Sequence, residues 1–255
     1  MRIASLVCVL SLLCVPVIAG RAAVQTADDV VEKHLAALGG REALGKLTTR
    51  RSTGTVTIST PSGDLTGPAE ISVKAPNKLR AIVHLDLTPM GVTEKLVLEQ
   101  KFDGTVGWVL DSLQGDREIT GGQLDQMRNN LFPSALLNYK AAGTTLELLP
   151  KTQVAGKDMI VLVAKPKIGP VMRLILDAET HLVFRTITTV NSPEMGDMEQ
   201  TGELSDYRVV DGVKVPFQVV NANPQQTTTI KITKVEHNVP LDDALFIKAK
   251  AMERR

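Results

Sequence analysis

The stretch Leu79-Arg80-Ala81-Ile82-Val83-His84-Leu85-Asp86-Leu87 places an apolar residue at every second position. Because successive side chains of a β-strand point to opposite faces of a sheet, a period of two predicts a strand with one buried face. Val83 and Leu85 would lie on that face, and Arg80 and Asp86 on the other. An amphipathic helix would instead repeat its apolar residues three or four positions apart.

The same alternation returns along most of the chain after residue 50. It recurs in the stretches 96–98, 108–110, 160–164, 172–176, 213–219 and 230–232. Pro61-Ser62-Gly63-Asp64 and Asp211-Gly212 have the composition of hairpin turns, and a two-residue turn at the second site requires positive φ at both residues. Strands joined in this way pair antiparallel, and long strands twist. The sequence therefore predicts a mainly β fold whose sheet curls into a barrel or half-barrel.

Three segments depart from the β pattern. Residues Asp28 to Leu38 carry apolar side chains along one helical face and are followed by Gly39-Gly40, which predicts an N-terminal helix. A short further turn is predicted over 42–47. The stretch Gln123 to Ala141 predicts one or two helices, interrupted before Pro133.

The N-terminus has the parts of a secretory signal peptide. Arg2 supplies a positive charge, residues 3–15 form an apolar run, and Pro16 breaks this run ahead of Ala19-Gly20. We expect cleavage after Ala19, with residue 22 or 23 as the alternative positions. The apolar run is shorter than the roughly 20 residues that span a bilayer, so a permanent membrane anchor is the less favoured interpretation.

The cysteines of the chain, Cys8 and Cys14, both lie within the predicted signal, residues 1–19. The mature protein would thus be free of disulfides, which are not needed at this size. No repeat, low-complexity tract or linker divides the remainder. We expect one domain over residues 24–250, exported to the periplasm.

The charge and the motifs exclude several classes of function. With 29 Lys and Arg against 28 Asp and Glu, and no block of like charge, the chain gives no indication of nucleic-acid binding. Its four histidines are far apart, and it lacks the motifs of serine hydrolases, zinc proteases and P-loop nucleotide-binding proteins. The stretch Gly104 to Gly107 is expected to be a hairpin corner. We therefore predict no enzymatic activity, no metal and no cofactor.

Longer stretches carry a resemblance to a known family. They are, in order, Leu35–Leu44, Ala75–Arg80, Phe102–Trp108, Leu204–Pro216 and Val235–Phe246. Together they resemble the LolA/LolB-like superfamily of bacterial outer-membrane lipoprotein carriers and lipoprotein-sorting proteins, over nearly the whole mature chain. The resemblance implies a curved antiparallel sheet that forms an incomplete β-barrel, with an N-terminal helix and central helices covering the concave face, where an acyl chain is held. Because the superfamily also contains sensors and an enzyme, the fold alone does not fix the function.

The candidate ligand contacts are apolar side chains of the sheet and of the central helices. They are Val83, Leu85, Leu96, Leu98, Trp108, Leu110, Leu131, Phe132, Leu136, Leu137, Leu174, Phe184 and Phe217. We expect them to enclose a lipid or the acyl chain of a lipoprotein, with inner- or outer-membrane proteins as further candidate partners. The alternative is a non-enzymatic structural or signalling module, which fills its concave face with its own side chains and binds a protein.

Overall fold

The computed structural model of the protein describes residues 25–88, 91–192 and 196–248. The predicted signal peptide and the last two residues of the predicted domain lie outside these ranges. Within them the chain forms three α-helices and 13 β-strands. The helices are α1 (Ala27–Leu38), α2 (Arg41–Gly45) and α3 (Gly121–Asn129). The strands are β1 (Thr49–Thr60), β2 (Gly63–Lys74), β3 (Lys78–Asp86), β4 (Lys95–Phe102), β5 (Gly107–Asp111), β6 (Arg117–Ile119), β7 (Thr145–Val154), β8 (Lys157–Lys165), β9 (Met172–Asp177), β10 (Val183–Ser192), β11 (Gly196–Val210), β12 (Val213–Ala222) and β13 (Thr227–His237).

All the described strands belong to one sheet, in the order β6-β5-β4-β3-β2-β1-β13-β12-β11-β10-β9-β8-β7. Every neighbouring pair is antiparallel, as expected for strands joined by short turns. In the part of the chain that the structure describes, β6 and β7 are the two edges and do not pair with each other. The prediction of a mainly β fold with an incomplete barrel is confirmed.

The position of α3 shows how strongly the sheet curves. This helix packs on β10, and its Met127 lies against Gly107 in β5, although seven strands separate β5 from β10 in the sheet. In a flat sheet those strands would be about 38 Å apart, whereas nine helical residues span only about 13 Å. The sheet therefore wraps around α3. We call the face towards the helices the inner face and the opposite one the outer face.

Helix α1 begins with a capping box, in which the Thr26 hydroxyl accepts from the Asp29 backbone N–H and the Asp29 carboxylate accepts from the Thr26 N–H. Its apolar side chains Val30, Val31 and Leu35 are fully buried. They form the main core with inner-face residues of the sheet, among them Ile160, Leu162, Leu174, Leu176 and Val213. Among the described residues, no helix is long and apolar enough to cross a membrane.

The end of α1 is fixed against the hairpin between β11 and β12. Gly39 ends the helix with φ 129°, and a Cβ at this position would lie 2.4 Å from the carbonyl oxygen of Gly212. That hairpin has the predicted two-residue turn, since Val210 pairs with Val213 and both Asp211 (φ 51°) and Gly212 (φ 80°) have positive φ. The close approach holds α1 over the inner face.

The central segment contains less helix than the sequence predicted. Helix α3 ends at Asn129, and residues 130–143 follow as turns rather than as a second helix. The apolar residues of these turns still face the core, because Leu136 and Tyr139 are buried in it. We call residues 130–143 the covering segment. The other predicted corner, Gly104 to Gly107, does join β4 to β5 as a hairpin.

A C-terminal segment, residues 239–248, lies on the outer face. It contains a 3-10 turn, Asp243–Phe246, which packs on β3 and β4 and buries Phe246. The Asp243 carboxylate pairs with Lys74 at 2.8 Å and with Lys78 at 2.9 Å. The outer face of the β2–β5 half is thus partly covered as well.

Candidate functional site

A cavity of about 350 Å³ lies on the inner face, between α1, α2, the covering segment and the sheet. This volume is in the range of small-molecule sites in proteins. Most of the wall is apolar, and its apolar side chains come from all of these elements. They include Leu38, Leu44, Leu47, Leu131, Phe132, Leu136, Ala164, Met172, Leu174, Val183, Leu204, Val213 and Val215. The cavity adjoins the main core, to which several of these residues also belong.

Hydrogen bonds anchor the covering segment near both of its ends. At its start, the Phe132 backbone N–H donates to the carbonyl oxygen of Pro76 over 2.7 Å. Further along, Arg41 Nη1 donates to the carbonyl oxygen of Leu137 over 2.8 Å. The Tyr139 hydroxyl donates to the carboxylate of Asp28 in α1. These bonds place Leu131, Phe132 and Leu136 over the sheet as one wall of the cavity.

Asp28 fastens α1 to the covering segment through two partners. Its carboxylate accepts from the ammonium of Lys140 and from the Tyr139 hydroxyl, and these bonds hold its pKa below the usual value. The pair is solvent-exposed, so we assign it a positioning role and little stabilisation.

Arg50 brings a positive charge into this apolar surface. It is half-buried on β1, and its guanidinium carbon lies 5.5 Å from the ring centroid of Phe132. In the part of the chain that the structure describes, no carboxylate pairs with it within 4.0 Å, and its guanidinium makes no hydrogen bond. Burial lowers the pKa of Arg50 to about 10, so the group remains charged at neutral pH.

One further basic side chain lines the same end of the cavity. His237 is the partner of Arg50 across the β1–β13 pair. The imidazole of His237 is 2 % exposed, with Nδ1 3.2 Å from Asp211 Oδ2 and with Nε2 buried and lacking a hydrogen-bond partner among the described residues. Burial lowers the pKa of His237, against the opposing effect of Asp211, so this histidine is mainly neutral at neutral pH.

His34 lies under α1, where the cavity meets the core. It is 4 % exposed, and its Nδ1 lies 2.8 Å from the carbonyl oxygen of His181. Because a carbonyl oxygen can only accept, Nδ1 carries the proton and Nε2 is left as an acceptor. Burial lowers the pKa of His34 and keeps it neutral.

Four of the predicted contact residues line the cavity: Leu131, Phe132, Leu136 and Leu174. Leu137 is next to it and packs against the main core. Val83, Leu85, Leu96 and Leu98 also lie together on the inner face, because Val83 pairs with Leu98 and Leu85 with Leu96. They belong to the β3–β4 part of that face and do not line the cavity.

Trp108 and Leu110 need a correction, because the structure places both on the outer face. The inner-face residue of β5 is Gly107, which lies against Met127, so its neighbour Trp108 points the other way. Lys248 of the C-terminal segment lies over the Trp108 ring, with Nζ 4.1 Å from the centroid. Alternation gave the correct periodicity for this strand, but it cannot tell which of two apolar sets faces inward.

Phe184 and Phe217 do not line the cavity either. Phe184 lies at a β-bulge in β10 and lines a neighbouring cavity with Met159 and Tyr207. Phe217 belongs to a separate small cluster with Val215 and Val235. The bulge at Phe184 interrupts the period of two, so alternation could not place this side chain.

The sequence interpretation missed Arg50 and His237, although one signal for Arg50 was present. Val56 and Ile58 alternate on β1, and continuing that alternation backwards puts Arg50 on the same face as these apolar residues. A cation on an apolar face is unusual unless it has a partner or a function. No comparable signal marks His237, whose position depends on pairing between the two ends of the chain.

Two other observations bear on which ligands the protein could bind. Among the described residues, no group of three or more His, Cys, Asp and Glu side chains is placed to hold a metal ion. A smaller cavity of about 190 Å³ lies between α3 and β10–β13, and its lining is mostly polar, including Thr186, Thr188 and Gln200. Of these two cavities, the larger one is suited to an apolar ligand.

Comparison with solved structures supports the fold. A domain of an outer-membrane lipoprotein-sorting protein from Vibrio parahaemolyticus is 10% identical, with a TM-score of 0.54 over 87% of this chain and 97% of that chain. A LolA superfamily protein from Nitrosomonas europaea is 12% identical, with a TM-score of 0.54 over 88% of this chain and 99% of that chain. A DUF1329 family protein from Desulfovibrio piger is 16% identical, with a TM-score of 0.56 over 87% of this chain and 97% of that chain.

These similarities define the protein as one with a LolA-like fold, and they confirm the resemblance found in the sequence. At 10–16% identity they concern the fold, and they do not transfer a ligand or a partner. No protein-family model and no curated protein matches the chain.

Proposed function

We propose that the protein is a non-enzymatic binding protein that holds the acyl chain of a lipid or lipoprotein in the inner-face cavity. The observation that carries this proposal is the mostly apolar cavity of about 350 Å³ between the helices and the sheet. The apolar part of this wall offers water few favourable contacts, whereas hydrocarbon would restore the contacts that this part of the lining lacks.

The expected driving force is burial of methylene groups. A chain of about a dozen methylenes would gain roughly 10 kcal/mol at about 0.8 kcal/mol each. The loss of translational and rotational freedom and the ordering of side chains on binding oppose this gain by about 4–15 kcal/mol. The net affinity therefore depends on how well the cavity is formed before the ligand binds. The bonds that Pro76, Arg41 and Asp28 make to the covering segment favour binding because they form the cavity wall in advance.

We further propose that the protein works in the periplasm, as a carrier in the trafficking of lipids or lipoproteins to the outer membrane. Two things support this proposal: the signal-peptide pattern of residues 1–19, and the fold shared with a lipoprotein-sorting protein and a LolA superfamily protein. Inner- or outer-membrane proteins would then be its partners.

A substitution that fills the cavity tests the binding proposal. Ala164 is a half-buried lining residue on β8, and Ala164→Phe would occupy space meant for the ligand without burying a polar group. We expect the variant to lose binding of a fluorescent fatty acid while its melting temperature stays close to that of the wild type.

Ala81→Phe is the matched control. Ala81 is an inner-face alanine of β3 that is also half-buried and does not line the cavity. Ala81→Phe should therefore leave fatty-acid binding unchanged. The proposal is wrong if the wild-type protein binds no fatty acid and releases no lipid on extraction, or if Ala164→Phe binds as well as Ala81→Phe does.

A further inference from the structure

The guanidinium of Arg50, at one end of the cavity, has no ion-pair partner among the described residues. Some arginines of the sheet have carboxylate partners: Arg80 pairs with Glu70 at 3.0 Å and with Glu99 at 2.6 Å, and Arg185 pairs with Glu203. Arg50 has no such partner in the described ranges, although it is surrounded by apolar groups. A cation in such surroundings has lost much of its hydration and is costly unless an anion reaches it.

The neighbours of Arg50 do not supply that anion. Asp211 is a carboxylate at this end, but it is bonded to His237 Nδ1 and its side chain is 66% exposed. Asp211 is thus engaged by His237 and forms no ion pair with Arg50.

The geometry leaves the guanidinium free to bind. The guanidinium carbon lies over the Phe132 ring at 5.5 Å from its centroid, a contact that uses the ring and leaves the N–H donors available for a ligand. The apolar wall begins directly beside it, at Leu131 and Phe132. A ligand that reached Arg50 would therefore have its remaining part within the apolar cavity.

We propose that Arg50 forms an oxyanion subsite, and that the ligand is an amphiphile whose acyl chain ends in an anionic carboxylate or phosphate head. This inference rests on the proposed function, since it assigns the head group of the ligand whose chain fills the cavity. The guanidinium presents paired N–H donors that match the two oxygens of a carboxylate or phosphate. His237 Nε2, which is buried and has no hydrogen-bond partner among the described residues, lies at the same end.

The test compares three probes that share one chain: laurate, lauryl phosphate and lauryl alcohol, titrated calorimetrically into the full-length mature protein near neutral pH. The wild type should bind the two anions about tenfold or more tightly than the alcohol, as expected for a charge-assisted bond. Arg50→Met should reduce that preference to within about twofold. The ratio of laurate to lauryl phosphate then distinguishes a carboxylate from a phosphate head.

Two variants keep the result interpretable. Arg51→Met removes the adjacent arginine, which points to the outer face, and should retain the anion preference. Arg50→Lys keeps a cation without the paired donors and should retain part of it. Because Arg50→Met removes an uncompensated buried charge, its melting temperature should equal or exceed that of the wild type.

The outcomes separate the two proposals. If none of the three probes binds, the proposed function fails. If the alcohol binds as tightly as the anions, or if Arg50→Met keeps the preference, the cavity binds acyl chains but the oxyanion subsite is overturned.

Discussion

The inner face of the sheet is buried to different extents in its two halves. Under α1, Leu162 of β8 and Leu176 of β9 are fully buried. On β3 and β4, Val83 and Leu98 stay partly exposed, although they alternate in the same way. On the same face of these strands Leu85 and Phe102 are buried, so the β3–β4 half is closed in part and is open around Val83 and Leu98.

The cavity lies where this cover changes. The fully buried half supplies Leu174 and Val183 to its wall, while Arg50 comes from β1, next to the more open half. The covered half of the inner face thus contributes mainly to stability, and the neighbouring cavity end contributes mainly to binding. A change in the covered half should affect folding first, and a change at the cavity end should affect binding first.

The largest expected effect compares Leu162→Glu with Leu98→Glu. At Leu162 the carboxylate would be buried without a partner in the main core, which costs several kcal/mol in addition to the lost packing, and this is comparable to the whole stability of a domain. At Leu98 the carboxylate can reach solvent. We expect Leu162→Glu to be unfolded and Leu98→Glu to melt near the wild-type temperature, as measured by circular dichroism.

Equal melting temperatures for the two variants would contradict the division of the inner face. Collapse of both would mean that the β3–β4 half is an ordinary core. Leu110→Glu is the control, because it makes the same kind of change on the outer face. Its melting temperature gives the loss of stability that the substitution causes away from the inner face.

The strands and turns could be predicted because they depend on local chemistry. Alternation placed Val83, Leu85, Leu96 and Leu98 on a common face, and the Asp211-Gly212 turn has the predicted positive φ at both residues. These features require only the geometry of a strand and the steric freedom of glycine.

The candidate site was predicted only in part, because it depends on what covers the strands. Trp108 was assigned to the wrong face, since the sequence does not show that the C-terminal segment packs on the outer side. Residues 130–143 were predicted to be partly helical, but their bonds to Pro76, Arg41 and Asp28 hold them as turns. Arg50 meets His237 only through pairing of the first strand with the last.

An intermediate effect is expected where α1 meets the β11–β12 hairpin. Gly39→Ala would force a Cβ to within 2.4 Å of the Gly212 carbonyl oxygen at a residue with φ 129°. Backbone strain and the shift of α1 together should cost about 3 kcal/mol or more. Gly212→Val has a strained φ of 80° but open space around its Cβ, so we expect on the order of 1–2 kcal/mol.

Chemical denaturation of the two glycine variants measures this difference. Because Gly39 holds the helix that covers the main core, its variant should also weaken fatty-acid binding, whereas Gly212→Val should leave it nearly unchanged. If Gly212→Val were the more destabilising of the two, the conformation of the hairpin would determine the stability of the covered half, rather than the contact between Gly39 and the hairpin.

The smallest expected effect is a pH dependence that compares His34 in the covered half with His237 at the charged end of the cavity. Burial lowers the pKa of both below the unfolded value of about 6.5. The unfolded chain then binds more protons than the folded one, so the free energy of unfolding falls as the pH drops through about 6.5. Each neutral histidine contributes at most about 1.4 kcal/mol per pH unit.

Melting temperatures measured between about pH 7.5 and 5.5 should show this decline, in a range above that in which carboxylates such as Asp28 become protonated. His34→Gln removes the more buried titrating group, and its amide can still donate to the His181 carbonyl oxygen. We expect it to flatten the decline more than His237→Gln does, because the Asp211 carboxylate opposes the fall in the pKa of His237. A larger effect of His237→Gln would mean that the charged end of the cavity, and not the core under α1, dominates the response of the fold to acid.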